Sequence, residues 1–386
     1  MTDRISDVAV VGAGPAGLVA ALLARSHGAS VTLIAPKAPP RDERTVAMLG
    51  ASVDILKETG VWSSIEAKAA PLRTMRIVDA TRRLIRAPLV EFHAHEVERE
   101  AFGYNIPNAV LIAALDEAAD QAGIERVTGF ASEVLPDDDA VTVVTVDGAS
   151  VRSKLLGAAD GRRSKARDAA GLAVRSWSYP QAALVANISH SLPHDDVSTE
   201  FHTETGPFTI VPMPGLRSAI VCVESPAEAE RLSKLDDEAL AAEFERRSRS
   251  IVGKIKIVGS RQVFPLSGQT ARHFAARRIA LLGEAAHVFP PIGAQGLNLG
   301  LRDAAAFAAV VRDHRDDPGG AEAMAAYDRA RSGDILSRTT AVDALNRTLL
   351  TDFLPVQALR GIGLFAIDRL PSLKRLVMRQ GLTPHL

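Results

Sequence analysis

The chain has 386 residues, 47% hydrophobic and 24% charged, enough for a large core and for two or three domains. Its 45 Lys and Arg offset 46 Asp and Glu, so no global field recruits nucleic acid. The single cysteine, Cys222, excludes an internal disulfide and a thiolate metal cage and fits a reducing, cytoplasmic setting.

Val8 to Val11 is too short for the apolar region of an export signal and reads as a buried strand. Gly12-x-Gly14-x-x-Gly17 follows at once, enclosing Pro15 and Ala16, and Leu18 to His27 is rich in Ala and Leu. Gly28 ends that helix, and Val31 to Ile34 gives the next strand. Strand, glycine turn, helix and strand together form a dinucleotide-binding fingerprint. The glycines admit a pyrophosphate close to the backbone, where it rests on the unpaired N–H groups of the helix N-terminus. An acidic residue normally closes the second strand and holds the ribose, but Ala35 and Pro36 stand there. That weakens the case for NAD at this site more than the case for FAD, which has other handles. No second such motif has a strand before it, so a nicotinamide cofactor is expected to bind transiently.

Further along, Arg73 to Leu89 suggests a hairpin. Apolar residues at 110, 111, 114, 115, 118 and 119 predict an amphipathic helix over Asn108 to Gln121. Val141 to Val146 and Val151 to Leu156 read as strands around an Asp147-Gly148 turn. A second motif follows, Asp160-Gly161-Arg162-Arg163-Ser164-Lys165-Ala166-Arg167. Gln181 to Ile188, Thr199 to Val211, Ser218 to Glu224 and Lys254 to Pro265 have strand patterning and suggest an antiparallel sheet. Cys222, in the third of these, reads as a structural thiol with no electropositive partner beside it. Ala227 to Ser248, charged and alanine-rich, looks like a helix on the outside of the sheet.

A third motif begins with Arg278 to Gly283, a buried strand ending in glycine. Glu284 to His287 then forms a turn, Pro290 to Gly296 a rigid loop, and a helix runs from Leu297 to about Arg312. A helix N-terminus carries roughly half a positive charge. Aimed at the pyrimidine edge of a flavin, it would stabilise the negative charge that appears at N1 and O2 on reduction. Glu284 is then placed for the ribityl hydroxyls. His287 reads as structural rather than as a base.

Gly283 to Asp303 resembles the second FAD motif of the p-hydroxybenzoate-hydroxylase group of flavoprotein monooxygenases. Asp160-Gly161 with Ser164 and Arg167 resembles that group's middle motif, near FAD and the path of NAD(P)H. Asp42-Glu43-Arg44-Thr45-Val46-Ala47-Met48-Leu49, with Leu56 and Gly60-Val61-Trp62, resembles one branch, the hydroxylases of ubiquinone biosynthesis. So does Gly293 to Gly300. The resemblance covers nearly the whole chain and implies an α/β (α+β) fold: a Rossmann-like FAD-binding domain, an inserted antiparallel-sheet substrate domain and C-terminal helices. Residues 1–72, 99–175 and 277–320 would form the first, 73–98 and 176–276 the second, and 321–386 the third. The implied FAD contacts are Gly12, Gly14, Pro15, Ala16 and Gly17, then Arg44, Asp160 and Glu284. Pro291, Gly293, Ala294, Gln295, Gly296, Leu297 and Asn298 complete the set. Two departures stand out: Glu284 replaces the usual Asp, and the loop reads Gly293-Ala294-Gln295-Gly296 where many members have Ala-Gly-Gln-Gly. Ala294 must then adopt whatever backbone angles a glycine would have taken.

The implied reaction is aromatic hydroxylation, with NAD(P)H reducing FAD, O₂ as oxidant and a polyprenylated phenol or quinol as substrate. The cofactor carries the chemistry, while the protein orients the ring and keeps the pocket dry. No metal-ligand or Ser/His/Asp constellation stands out, and the sequence names no catalytic base. Phe208, Val211, Pro212, Phe264, Pro265, Leu266 and Pro290 are the pocket candidates. Three rivals remain. The first is a small soluble aromatic substrate, with Arg217 or Arg73 meeting its carboxylate. The second, a flavin-dependent halogenase, lacks the Trp-x-Trp-x-Ile-Pro motif, since the tryptophans are Trp62 and Trp177. The third is a non-catalytic FAD-binding subunit working with other ubiquinone-biosynthesis proteins. Near the C-terminus, Arg360, Arg369, Lys374, Arg375 and Arg379 interleave with apolar residues. That segment reads either as a helix lying on the inner face of a membrane or as one packed on its own domain.

Overall fold

A computed structural model describes residues 5–36, 42–81, 87–290 and 295–350, with side chains through 339 in the last stretch. Beyond these it describes Phe365, Arg369, Leu370, Ser372, Lys374, Arg375 and Met378. The chain opens with β1 (Ser6–Val11), α1 (Pro15–Ser26) and β2 (Val31–Ala35), followed by β3 (Thr45–Leu49), α2 (Gly50–Glu58) and α3 (Trp62–Ile65). Next come β4 (Ala70–Pro71), β5 (Thr74–Asp79), β6 (Val90–His93), β7 (Gly103–Pro107), α4 (Asn108–Gln121) and β8 (Glu125–Thr128). Then β9 (Ala131–Pro136), β10 (Val141–Thr145) and β11 (Ser150–Ala158) precede the short α5 (Lys165–Ala169). A long β12 (Val174–His190) leads to β13 (Val197–His202), β14 (Pro207–Met213) and β15 (Arg217–Glu224). After α6 (Pro226–Ser233) and α7 (Asp237–Arg247), β16 (Ile255–Ala271), β17 (Ala275–Ala276), β18 (Ile279–Leu281) and β19 (His287–Val288) follow. The chain closes with α8 (Gln295–Asp313) and α9 (Ala321–Leu350).

Two eight-stranded sheets organise these elements. The first runs β17-β18-β11-β1-β2-β8, with β10 and β9 added as antiparallel strands beyond β11. Its centre, β18-β11-β1-β2-β8, is parallel. Parallel strands buried on both faces are continuously apolar, and Val8, Ala9 and Val10 are fully buried. Helix α1 buries every residue from Ala16 to Ala24, between the sheet and α8. The second sheet runs β19-β16-β12-β15-β14-β13-β5-β6. Alternation divides its two faces. Leu184, Ile188, Phe208 and Cys222 point to one face, which packs beneath Leu232, Leu240 and Phe244 of α6 and α7. Ala183, Val221, Val223 and Leu266 point to the other. Strands β3, β7 and β4 form a small third sheet.

Helix α4 covers the range that its periodicity predicts, Asn108–Gln121. The expected single helix over 227–248 is two. Ser225 caps the first by accepting from Glu228 N, and Asp236 restarts the chain as cap of the second, accepting from Ala239 N. The run from Thr199 to Val211 likewise divides at Gly206, whose φ of +148 suits glycine and whose added Cβ would meet Val223. The hairpin of 73–89 has its second strand later, at Val90–His93.

Cys222 also needs a correction: folding brings the Arg247 guanidinium to 3.7 Å from its sulfur. That arginine is bound by Glu224, Glu228 and Glu243, and burial pushes the thiol up to about 12. Of the C-terminal residues, Lys374 and Met378 meet the β6 region, and Arg360 and Arg379 lie outside the described residues. Lys374 pairs with Glu96 at 2.8 Å, and Met378 is buried beside Ala94 and Phe102. Phe365, Arg369, Leu370 and Arg375 are exposed. Among the described residues no helix is long and apolar enough to cross a membrane.

Candidate FAD site

The three glycines of the first motif have different jobs. Gly12 has φ of +106, and an added Cβ would lie 2.2 Å from the Ala159 carbonyl oxygen. A Cβ on Gly17 would lie 2.0 Å from the Gly12 carbonyl oxygen. Those two let the turn close against β11. Gly14 instead opens onto free space, with no atom within 4 Å of an added Cβ. It is the N-cap of α1, has no side-chain cap, and is followed by Pro15 at the first turn. The free N–H groups of that turn therefore point into an open cradle of the kind that suits a pyrophosphate.

Three other segments reach the same place. Ala159 N donates to Val11 O, which sets Asp160 beside the glycine turn. One Asp160 oxygen accepts from Ala166 N at 3.2 Å, while the other is buried and has no partner. A buried acceptor without a donor suits a ligand hydroxyl. Gly283, at φ +58, lies against Ala16, and an added Cβ there would stand 3.4 Å from the Ala16 methyl. Glu284 is exposed and acts electrostatically on Arg44. Arg44 is bidentate to Asp42 at 2.7 and 2.8 Å, and its guanidinium lies 5.4 Å over the Phe264 ring. Hydrogen bonding to Asp42 raises the Arg44 pKa against the opposing effect of burial, with Glu284 adding a smaller contribution.

The loop 42–44 is itself anchored. Asn108 donates to Asp42 at 2.8 Å, Asn187 donates to the Glu43 carbonyl at 2.9 Å, and Ser260 Oγ donates to the Glu43 carboxylate at 2.7 Å. The anchors Asn108, Asn187 and Ser260 come from distant parts of the chain, and no local signal marks them.

The described part of helix α8 begins at Gln295. Gly296 is exposed and open, Leu297 packs on the core, and the Asn298 side chain is spent on Leu49 and Ala47 of β3. What Asn298 offers a ligand is backbone. Pro291, Gly293 and Ala294 lie outside the described residues. His287 is fully buried, with Nε2 2.7 Å from Asp303. Asp303 also accepts from Gly283 N at 2.9 Å and Arg331 Nε at 2.7 Å. Burial alone would push its carboxyl up, but His287 and Arg331 carry it below the usual range.

The pocket candidates separate by face. Phe208 is 1% exposed and stacks in the helix-side core with Phe201 and Phe244, so it is not pocket lining. Pro265 shares Val263's side of β16 and is exposed. Pro212 is buried, with its carbonyl accepting from Asn105 at 2.8 Å. Pro290 is buried. Val211, Phe264 and Leu266 lie on the opposite face, the one toward Arg44. Arg73 is committed to Asp196 and Glu100, and Arg217 is exposed at the start of β15.

Among the described residues no group of three or more His, Cys, Asp or Glu is placed to hold a metal. His190 and His194, four residues apart, spend their nitrogens on Leu192 O, Ser218 Oγ and Met213 O.

The FAD binding domain family matches residues 5–335. Ubiquinone hydroxylase UbiL of Rhodospirillum rubrum is 33% identical, covering 98% of this chain and 90% of that protein. The 3-demethoxyubiquinol 3-hydroxylase of Escherichia coli is 28% identical, covering 99% and 100%. Among solved structures, p-nitrophenol 4-monooxygenase PnpA from Pseudomonas putida superposes with a TM-score of 0.81 at 19% identity, over 100% of both chains. Klebsiella pneumoniae HpxO, complexed with FAD and uric acid, gives 0.77 at 20% identity over 98% of each, a likeness of fold. The open glycine cradle and the unpaired Asp160 oxygen fit FAD. With a family match across most of the chain and a relative at 33% identity along nearly all of it, the chain belongs to the FAD binding domain family of flavoprotein monooxygenases, in the branch of the ubiquinone hydroxylases.

Proposed function

We propose that this flavoprotein hydroxylates the aromatic ring of a polyprenylated phenol or quinol in ubiquinone biosynthesis. One oxygen atom of O₂ enters a ring C–H bond and the other leaves as water, with NAD(P)H and a proton supplying the two electrons and both hydrogens of that water. The observation that carries this reading is the 33% identity to a ubiquinone hydroxylase along 98% of the chain.

FAD, when bound, supplies the electron transfer and oxygen activation. The protein's part is binding, orientation and exclusion of water. In this reading Gly12, Gly14 and Gly17 with the α1 N-terminus hold the pyrophosphate, and Asp160 and Glu284 hold hydroxyls. The α8 N-terminus faces the pyrimidine edge, where its dipole favours negative charge. Arg44, braced by Asp42, closes the near side. The face bearing Val211, Phe264 and Leu266 covers the ring and receives the substrate. We assign residues 1–72, 99–175 and 277–320 to the cofactor unit, 73–98 and 176–276 to the substrate unit, and 321–386 to a helical region. The exposed Phe365, Arg369, Leu370 and Arg375 support contact with an anionic membrane, where a prenylated substrate would reside.

Mass spectrometry of lipid extracts from cells lacking this gene and any other ring hydroxylase of the pathway tests the reading. Re-expression should convert an accumulated prenylated precursor to a species one oxygen heavier. A quinone profile unaffected by re-expression overturns the reading and directs attention to soluble aromatic compounds.

A further inference from the structure

Behind α8 lies a cluster of buried charges. Arg331, Asp334 and Arg338 recur at i, i+3 and i+7 on α9 and therefore share one face. Arg302 and Asp303 meet them from α8. Asp334, with its side chain 4% exposed, binds Arg302 at 3.2 Å, Arg331 at 3.1 Å and Arg338 at 2.9 Å. Asp303 binds Arg331, His287 and the Gly283 N–H. At the other end, Arg338 Nη1 donates to Gln295 Oε1 at 3.1 Å. A continuous series of contacts thus runs from Gly283 through Asp303, Arg331, Asp334 and Arg338 to Gln295. It ties Gly283 to Gln295 at the start of α8.

Among the described side chains the charges do not cancel. Three guanidinium groups face two carboxylates, and all five side chains are at most 12% exposed. Asp328, the next acid on α9, is turned to His273 and Phe274 N instead. Arg302 Nε and Arg331 Nη2 are buried with no partner. Burial, and then the neighbouring Arg338, lower the Arg302 pKa, as expected where positive charge is in surplus. A buried surplus charge is costly unless an anion lies close by. The α8 N-terminus is seven residues from Arg302, about 10 Å along the axis.

We propose that Arg331 and Arg338 are positioning residues of the flavin site: they tie Gly283 and Gln295 to one cluster, whose surplus positive charge favours the anionic, two-electron-reduced flavin. The proposal rests on FAD binding and is independent of which aromatic ring is oxidised.

The test compares Arg338→Gln, Arg338→Lys and Arg312→Gln in the full chain. Arg312 pairs with Asp313 at the exposed end of α8, so its variant controls for loss of a charge. FAD affinity is read by flavin fluorescence on titrating the apoprotein, and the midpoint potential by equilibration with a reference dye. At an effective dielectric of about 20, one charge at about 10 Å changes an equilibrium by roughly tenfold. Arg338→Gln should therefore shift the two-electron couple about 30 mV lower, and, without its bond to Gln295, bind oxidised FAD more weakly. Arg338→Lys keeps the charge without the fork that spans Asp334 and Gln295, so it should lose affinity and retain the potential. Arg312→Gln should change neither. An unchanged potential in Arg338→Gln, or an equal fall in Arg312→Gln, overturns the electrostatic role. Unchanged FAD affinity in both Arg338 variants overturns the role in holding Gln295.

Discussion

Asn298 accepts the Leu49 backbone N–H at 2.9 Å through Oδ1 and donates to the Ala47 carbonyl at 2.8 Å through Nδ2. One amide, 2% exposed, thereby clips the start of α8 to β3, the strand that follows Arg44. Only an amide has a donor and an acceptor in this fork. Asn298→Leu keeps the approximate volume but deprives the buried Leu49 N–H and the part-buried Ala47 carbonyl of this amide, a cost of about 2–4 kcal/mol. The expected result is a lower apoprotein melting temperature and a larger loss of FAD affinity than an exposed α8 substitution gives. Wild-type melting and FAD titration curves for Asn298→Leu would show that the clip is idle.

Gly14 and Gly17 make a cleaner pair, because one faces space and the other faces backbone. A methyl on Gly17 must displace the Gly12 carbonyl, and nothing flexible is there to yield. Gly17→Ala is expected to cost roughly 3 kcal/mol, the upper range for overpacking. Gly14 has φ of −72, which any residue accepts, and its methyl would enter the proposed pyrophosphate space. Gly14→Ala should leave apoprotein stability within about 0.5 kcal/mol of wild type and weaken FAD binding. Thermal melts with and without FAD distinguish the two. A Gly14→Ala protein that binds FAD normally removes the cradle from that position.

These contrasts mark what the sequence makes legible. The glycine turn, α4 and the third motif are read from local requirements, namely a backbone that must approach closely and an apolar period that must match a helix. Alanine-rich composition hides the break within 227–248, and the Asp236 cap that restarts the chain is a single residue. Cys222 and Arg247 are 25 residues apart, so their contact follows from the packing of α7 on β15, which no local pattern encodes. Arg331, Asp334 and Arg338 share one face of α9 by their spacing, and no local pattern shows which way that face turns. Only the tertiary approach of Asp303 and Arg302 turns that face inward. Arg44 was identified by resemblance alone, and its brace, Asp42, appeared with the structure.

That brace has a pH signature. Burial pushes the Asp42 carboxyl up, but hydrogen bonds from Arg44 and Asn108 bring it down to about 2 from 3.8. A carboxylate whose pKa is depressed by folding contributes stability that is complete above its unfolded value and is lost as pH falls through its folded value. The contribution is therefore full above about pH 4 and fades toward pH 2. Comparing wild type with Asp42→Asn, the gap in melting temperature should be constant from pH 7 to 5 and shrink below about pH 4. A gap that does not narrow on acidification would mean that Asp42 acts through shape rather than charge.

Phe208 and Phe264 belong to the same sheet and look alike in sequence, yet register places them on opposite faces. Phe208 pairs across with Cys222 and packs on Phe244, whereas Phe264 pairs with Ala183 and lies under Arg44. Phe208→Ala should therefore cost about 3–5 kcal/mol, with little change in substrate affinity for the protein that remains folded. Phe264 is only partly buried, so Phe264→Ala should cost stability by less than half as much. Its effect should fall on catalysis instead. A pocket that no longer excludes water lets reducing equivalents pass to O₂ without entering the ring. The measurement is the ratio of hydroxylated product to NAD(P)H consumed, with hydrogen peroxide as the balance. Phe264→Ala should lower that ratio and Phe208→Ala should leave it near wild type. The reverse pattern would place the substrate on the α6–α7 side of the sheet and exclude the face assigned to it.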